Sequence, residues 1–385
     1  MSGDWKEVTI GDITTSCLGK MLDKQKNKGE YQPYLANVNV RWGGFDLSDL
    51  PQMRFEDSEQ ERYGLKYGDI VLCEGGEPGR CAIWKNQIPN MKIQKALHRI
   101  RVNEGVSNEY LYYWFLWAGK CGLLNSYFTG TTIQHLPGEK LKSIRLRIPP
   151  YEYQLKVAPV LSCLDAKIEL NNQINENLQQ QAQAIFKAWF VDYEPFGGVM
   201  PAEWREGILA DIADITMGQS PDGSSYNEEG EGVVFFQGRA EFGFRFPSIR
   251  LFTTEPKRFA CKNDVLMSVR APVGDLNIAH EDCCIGRGLS AIHAKDGMQS
   301  FILYTMFAMQ KALDVFNGEG TVFGSINQKA LKNMPVIIPS DDVIAEFERL
   351  VEPMDKIVEV NCDEIIHLYI LKDVLLSKLF SNSLM

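Results

Sequence analysis

The chain has 385 residues, 45% of them hydrophobic and 23% charged, and carries a net charge of −10. That length exceeds one ordinary core and suits two or three globular domains. No run of about 18 apolar residues occurs, so no membrane span is expected, and the polar opening Met1-Ser2-Gly3-Asp4-Trp5 has no signal-peptide pattern. From the N-terminus, residues 5–150 read as strands and turns, with Val-, Ile-, Tyr- and Phe-rich stretches broken at Gly43-Gly44, Gly75-Gly76, Gly79 and Gly130. A short helix is predicted over about 107–120, with Tyr110 to Trp114 facing inward. Pro149-Pro150 closes this first domain, taken as 1–150. A long helix follows over 151–193, stopped by a Pro- and Gly-marked linker at 194–203. Residues 204–339 then repeat the first pattern, and a second long helix fills 340–385.

The repetition is visible in the letters. Trp5-Lys6-Glu7-Val8-Thr9-Ile10-Gly11-Asp12-Ile13 returns 199 positions later as Trp204-Arg205-Glu206-Gly207-Ile208-Leu209-Ala210-Asp211-Ile212. Gly68-Asp69-Ile70-Val71-Leu72 is answered by Asn263-Asp264-Val265-Leu266-Met267. In the first long helix Leu164, Ile168, Asn171, Asn175, Leu178, Ala182, Ile185 and Trp189 alternate steps of four and three. Met354, Val358, Asn361, Ile365, Leu368, Lys372, Leu375 and Leu379 do so 190 positions on. Two heptad seams in register predict a coiled-coil pair, each helix roughly 50–60 Å long. Asn171 and Asn361 share a seam position, where a buried Asn fixes register at a cost in stability. Leu170, Ile174 and Phe186 lie beside the seam and predict partner helices on the outer face, the alternative being that they widen the seam between the two helices. If the two helices pair antiparallel, the modules fall at opposite ends of a rod.

The acidity is unevenly spread. Residues 1–150 carry +3, residues 151–200 −3, residues 201–340 −4 and residues 341–385 −6. An acidic total does not exclude DNA, because affinity comes from local basic patches, but it predicts that other subunits share in neutralising phosphate. Nine cysteines at irregular spacing, without C-x-x-C, read as reduced thiols in a cytoplasm. Cys283-Cys284 has no second ligand pair at zinc spacing and reads as strand.

Catalytic equipment is scarce. Ile148-Pro149-Pro150-Tyr151 imitates the Asx-Pro-Pro-aromatic motif of amino-methyltransferases, but Ile148 cannot accept the hydrogen bond that motif requires. There is no P-loop and no H-E-x-x-H among His98, His135, His280, His293 and His367. The runner-up reading is a Mg²⁺-dependent nuclease using Asp222, Glu255 and Lys257, a Pro-Asp…Glu-x-Lys pattern in which Pro256 would interrupt a central strand. A third is a coiled-coil adaptor with no DNA role.

Four sets of residues resemble a known family, the DNA-specificity (S) subunit of type I restriction–modification systems. They are Ile148-Pro149-Pro150 with Gln154; Asp165-Ala166-Lys167-Ile168-Glu169-Leu170-Asn171 echoed by Asp355-Lys356-Ile357-Val358-Glu359-Val360-Asn361; Ile185-Phe186-Lys187-Ala188-Trp189-Phe190-Val191-Asp192-Tyr193-Glu194-Pro195; and Gly218-Gln219-Ser220-Pro221, Gln237-Gly238, Ser268-Val269-Arg270-Ala271-Pro272-Val273-Gly274 and Ile285-Gly286-Arg287-Gly288. The resemblance implies an α+β protein of two similar α/β target-recognition domains separated by two long antiparallel coiled-coil helices, a pseudo-twofold repeat. It implies a non-catalytic chain that binds double-stranded DNA at a bipartite, interrupted site and docks two methyltransferase subunits through its helices. S-adenosylmethionine would sit on those subunits, and ATP and Mg²⁺ on restriction–translocase subunits; the chain itself would hold no cofactor or metal. The first module departs from the pattern, with Cys73-Glu74-Gly75-Gly76-Glu77-Pro78-Gly79 where the second has Ser268 to Gly274.

Base edges are read by Arg or Lys on guanine and by Asn or Gln on adenine. In the first module the candidates are Asn37, Asn39, Arg41 and Trp42; Lys92, Gln94, Lys95, His98 and Arg99; and Thr131, Thr132, Gln134 and His135. In the second they are Gln237, Arg239, Arg245, Arg270 and Arg287, with Thr321 and Asn327 in the counterpart of the Thr129–His135 loop.

Overall fold

A computed structural model describes residues 5–23, 27–318 and 324–383. The chain divides into two compact units, Met1–Ile168 with His367–Met385, and Glu169–Ile366. In the first, strand Lys6–Thr9 pairs antiparallel with Arg145–Ile148, and a four-stranded sheet runs in the order Thr14–Leu18, Leu97–Val102, Ile70–Cys73, Cys81–Ile83. Strand Glu30–Leu35 pairs antiparallel with Gln52–Phe55 and parallel with Lys92–Ile93.

The second unit repeats these pairings. Arg205–Ile208 pairs antiparallel with Pro335–Ile338, the four-stranded sheet is Ala213–Met217, Leu289–Ala294, Val265–Ser268, Leu276–Ile278, and Val233–Phe236 lies parallel to Cys283–Ile285. The duplication is therefore one of hydrogen-bond register as well as of letters. The doubled opening phrase has a physical cause: Asp12 Oδ2 accepts the Thr9 N–H at 2.7 Å and Asp211 Oδ2 accepts the Ile208 N–H at 3.0 Å, each starting a one-turn helix. Strands Ile70–Cys73 and Val265–Ser268 are buried at every position, which is why they read as continuous apolar runs.

The expected short helix is Asn108–Lys120, capped by Ser107, with Tyr110 through Ala118 buried. Its cap is tied to the long helix by Gln154, which is 2% exposed: Oε1 accepts the Ser107 N–H and Nε2 donates to the Pro149 carbonyl, both at 2.9 Å. The counterpart in the second unit is Gln299–Ala308, whose Phe301 N–H donates to Glu348 at 2.7 Å.

The long helices are Tyr151–Phe190 and Asp341–Phe380, 40 residues each. In the first unit Lys372 Nζ meets Asp165 Oδ1 at 2.5 Å. In the second, Asn171 donates to Glu364 (2.7 Å), Asn361 donates to Asn175 (2.8 Å), and the Phe186 and Phe347 rings lie 5.7 Å apart. In the second unit, as one residue number rises its partner's falls, so the pairing there is antiparallel. Ile168, Asn171, Asn175, Ala182, Val358 and Lys372 are buried, while Leu164, Leu178, Met354, Asn361, Ile365 and Leu368 are half-buried. Near the helix ends the fully buried stripe moves one residue over. Phe186 and Phe190 replace Ile185 and Trp189, and Leu376 and Phe380 replace Leu375 and Leu379. There the helix packs into a domain core as well as against its partner. Phe186 thus belongs to the core, not to an outer face. Among the described residues no helix is long and apolar enough to cross a membrane.

Candidate nucleic-acid interface

In the first unit the turn between Ile70–Cys73 and Cys81–Ile83 is closed by Cys73 N–H to the Arg80 carbonyl (2.8 Å) and Gly79 N–H to the Cys73 carbonyl (3.0 Å). Glu74 holds it to two neighbours: its N–H donates to the Ala96 carbonyl (2.8 Å) and its carbonyl accepts the Leu136 N–H (2.7 Å). Gly75 bridges to His135. A fourth segment joins through Arg80, which donates to the Asn37 carbonyl (2.8 Å), and through Trp42, whose indole donates to Glu77 (2.6 Å).

The second unit repeats the backbone bonds of this corner. Ser268 N–H donates to the Asp275 carbonyl (2.9 Å), Gly274 N–H to Ser268 (3.0 Å), Val269 N–H to Gly288 (2.9 Å) and Ile326 N–H to Val269 (3.1 Å). Arg270 bridges to Ser325, and Arg239 pairs with Asp275. Gly79 and Gly274 both adopt positive φ, +90° and +95°, and a Cβ there would come within 2.9 Å of Leu124 and 3.2 Å of Leu313; glycine is needed for both reasons. The scaffold is duplicated, but the charge at the corner is not. Arg80 of the first unit occupies the place of Asp275 in the second, and Gly75 that of Arg270.

The segments that meet at the corner carry Asn37, Arg41, Trp42, Gln94, Lys95, Thr131, Thr132, Gln134 and His135 in the first unit, and Gln237, Arg239, Arg270 and Arg287 in the second. Arg41, Lys95, Thr131, Thr132, Gln134, Gln237, Arg239, Arg270 and Arg287 are exposed. Trp42 leans on Gly119, where a Cβ would come 2.4 Å from the ring.

Five candidates lie elsewhere, inside the fold. Asn39 is buried and bonds Ala36, Asp46 and Asp49 backbone. Lys92 donates to the Asn90 carbonyl (3.0 Å) and burial lowers its pKa. His98 and Arg99 sit on the strand Leu97–Val102, flanked by Thr14–Leu18 and Ile70–Cys73 with both faces covered. His98 Nε2 meets the Leu136 carbonyl at 2.8 Å, and burial holds its pKa below the usual histidine range. Arg99 donates to the Glu61 and Gly64 carbonyls. Arg245, 3% exposed, donates to Asp355 (2.8 Å) and Gln179 (3.1 Å). Asn327 is exposed but caps the helix Gln328–Lys332 through the Ala330 N–H. Thr321 lies outside the described residues.

Reading for donor side chains passed over the acceptors of the corner, Glu74 and Glu77, and over a repeated anchor. Tyr113 O–H donates to Asp165 (2.8 Å) and Tyr304 O–H to Asp355 (2.7 Å), so in each unit the aromatic helix is fastened to the long helix. Burial first, and the adjacent carboxylate second, raise both phenol pKa values. The signal was present: Asp165 and Asp355 open the doubled Asp-Ala-Lys-Ile and Asp-Lys-Ile phrases. Asp222 instead caps a turn through the Ser224 N–H (2.9 Å) and hydroxyl. Among the described residues no group of three or more His, Cys, Asp or Glu is placed to hold a metal ion.

The sequence matches the type I restriction modification DNA specificity domain over residues 2–180 and 201–347, once per module. The chain belongs to that family. It is 29% identical to the candidate MjaX specificity subunit of a type I restriction enzyme from Methanocaldococcus jannaschii, over 94% of this chain and 89% of the relative. It is 22% identical to the HindI specificity subunit of Haemophilus influenzae, over 99% and 100%. The crystal structure of the type I restriction–modification S subunit from M. genitalium shares the fold, with a TM-score of 0.64 at 18% identity, covering 98% of this chain and 96% of that one.

Proposed function

We propose that each module reads one half of an interrupted double-stranded DNA site through its four-segment corner. The observation that carries this is the corner itself: the same set of backbone hydrogen bonds built twice, bearing different side chains. A scaffold retained while its tips change is what two different half-sites require, since phosphate contacts position a protein and base-edge contacts specify. The chain is then the recognition subunit, without a reaction of its own. Exposed apolar side chains on the long helices, among them Leu155, Val160, Leu170, Val360 and Ile370, would dock two methyltransferase subunits bearing S-adenosylmethionine. A restriction–translocase subunit would bring ATP and Mg²⁺. All nine cysteines are free, which suits work in a cytoplasm.

Mapping N6-methyladenine in the host genome with and without this gene tests the reading; a two-part interrupted motif should vanish with the chain. Within that motif, Arg270→Ala should weaken discrimination at the second half-site by about 1–3 kcal/mol. Equal loss at both halves would count against a base-reading Arg270.

A further inference from the structure

The two corners share backbone hydrogen bonds but carry different side chains. In the second unit Arg270 stands exposed beside Ser325, a donor-only group suited to the O6 and N7 acceptors of guanine. The first unit has Gly75 there, and a Cβ at Gly75 would come within 2.9 Å of His135 Nδ1. The first unit therefore presents no side chain at that position, and one placed there would have to displace the His135 ring. The nearest one on the corner is Glu74, one residue back, where the second unit has the apolar Val269. The Glu74 side chain is 20% exposed, and its Oε2 lies 3.2 Å from His135 Nδ1. That contact fastens the carboxylate to the loop whose Thr131, Thr132 and Gln134 are exposed.

A carboxylate on a surface that meets DNA is repelled by phosphate, so it weakens binding unless a base donor satisfies it. In the major groove thymine O4 and guanine O6 and N7 are acceptors, and adenine sets its N7 acceptor beside its amino group. Cytosine alone presents a donor without a neighbouring acceptor on the same base, its N4 amino group. We propose that Glu74 is a specificity-determining residue of the first module, accepting a hydrogen bond from a cytosine amino group in the first half-site and rejecting the other bases by charge. This rests on the DNA-reading assignment above.

The test uses the full chain and a pool of duplexes with randomised sequence. Glu74→Gln keeps the shape and the His135 partner while removing the charge. At one position of the first half-site, preference for cytosine should fall about tenfold, the equivalent of about 1.4 kcal/mol. It should shift toward adenine, which an amide reads. The second half-site should be read as before, and affinity for random duplex should hold or rise as phosphate repulsion is relieved. Glu74→Ala should lose the cytosine preference without gaining one for adenine. Unchanged first-half preference in both variants overturns the proposal. So does a parallel loss on both half-sites and on random duplex, which is the mark of a scaffold residue. If the unaltered chain itself enriches no two-part motif, the DNA-reading assignment fails, and the role of Glu74 with it.

Discussion

Asp355 accepts from Arg245, Ser300 and Tyr304 at 2.8, 2.7 and 2.7 Å. Removing the arginine strips a partly buried carboxylate of its countercharge and opens space inside the second unit. Breaking a buried pair from one side costs about 3–5 kcal/mol, so Arg245→Leu should lower the unfolding free energy of the second unit by about 3 kcal/mol. Arg270→Ala, on the surface, should change it by no more than about 0.5 kcal/mol. Denaturant unfolding of both variants separates a structural arginine from a reading one; similar losses would place Arg245 back among the readers. A second group nearby makes stability depend on pH. Glu348 lines a cavity of about 280 Å³ with Glu352 and Asp355. Burial first, then those two carboxylates, raise its pKa from 4.5 to about 7, against the Phe301 N–H that favours the charged form. A carboxyl whose folded pKa exceeds its unfolded one binds its proton more tightly when folded. Its contribution is therefore complete below about 4.5 and lost as pH rises through about 7. Glu348→Gln, which can still accept the Phe301 N–H, should abolish that slope. It should gain on the order of 1 kcal/mol relative to the parent at pH 8 over pH 5.5, after discounting for solvent screening. Parallel pH profiles would remove Glu348 from the account.

At the scale of elements, the two seams show what periodicity conveys and what it leaves open. Heptad spacing located both helices and most of their contact stripe, because burial on a helix repeats every three to four residues. It did not pair the asparagines. Asn171 and Asn361 occupy equal places in the two copies, but antiparallel helices meet with their numbers running oppositely, so Asn361 faces Asn175 instead. Nor did it show the shift to Phe186, Phe190, Leu376 and Phe380, since that depends on domain cores assembled from distant strands. Asn175 is 1% exposed, and its amide nitrogen reaches Cys362 Sγ at 3.6 Å. Asn361→Leu should cost about 1–3 kcal/mol, because it leaves the buried Asn175 oxygen without its donor. Replacing both by leucine should cost much less than the two single losses together, and should loosen register, the service a seam asparagine provides. A double-mutant cycle with coupling of about 1 kcal/mol or more is expected; strictly additive losses would mean the two amides act apart.

For the whole molecule, the sequence was legible as two modules each followed by a helix, and the pairing registers bear out that duplication. Chain order hid where one compact unit ends. Residues 340–385 read as a segment belonging to the second half, but His367–Met385 is counted with the first unit. Leu376 and Phe380 lie in the same core as Tyr110 to Trp117. The Phe380 ring stands 5.1 Å from Tyr110 and 6.0 Å from Trp117, and Trp114 Nε1 donates to Ser383 Oγ at 3.0 Å. No local pattern could reveal this, because each of those aromatics reads equally well as packing against its own sheet. The consequence is that a change at the end of the sequence acts on its first module. Phe380 is fully buried, so Phe380→Ala removes a ring from a closed core and should destabilise the first unit by about 3–5 kcal/mol. Amide hydrogen exchange resolves where that loss falls. Protection should drop in Asn108–Lys120 and in the strand Ile70–Cys73, while Gln299–Ala308 and Val265–Ser268 exchange as in the parent. The reverse pattern, with the second unit loosened and the first intact, would show that the last turns of the helix stabilise the module that precedes them in sequence.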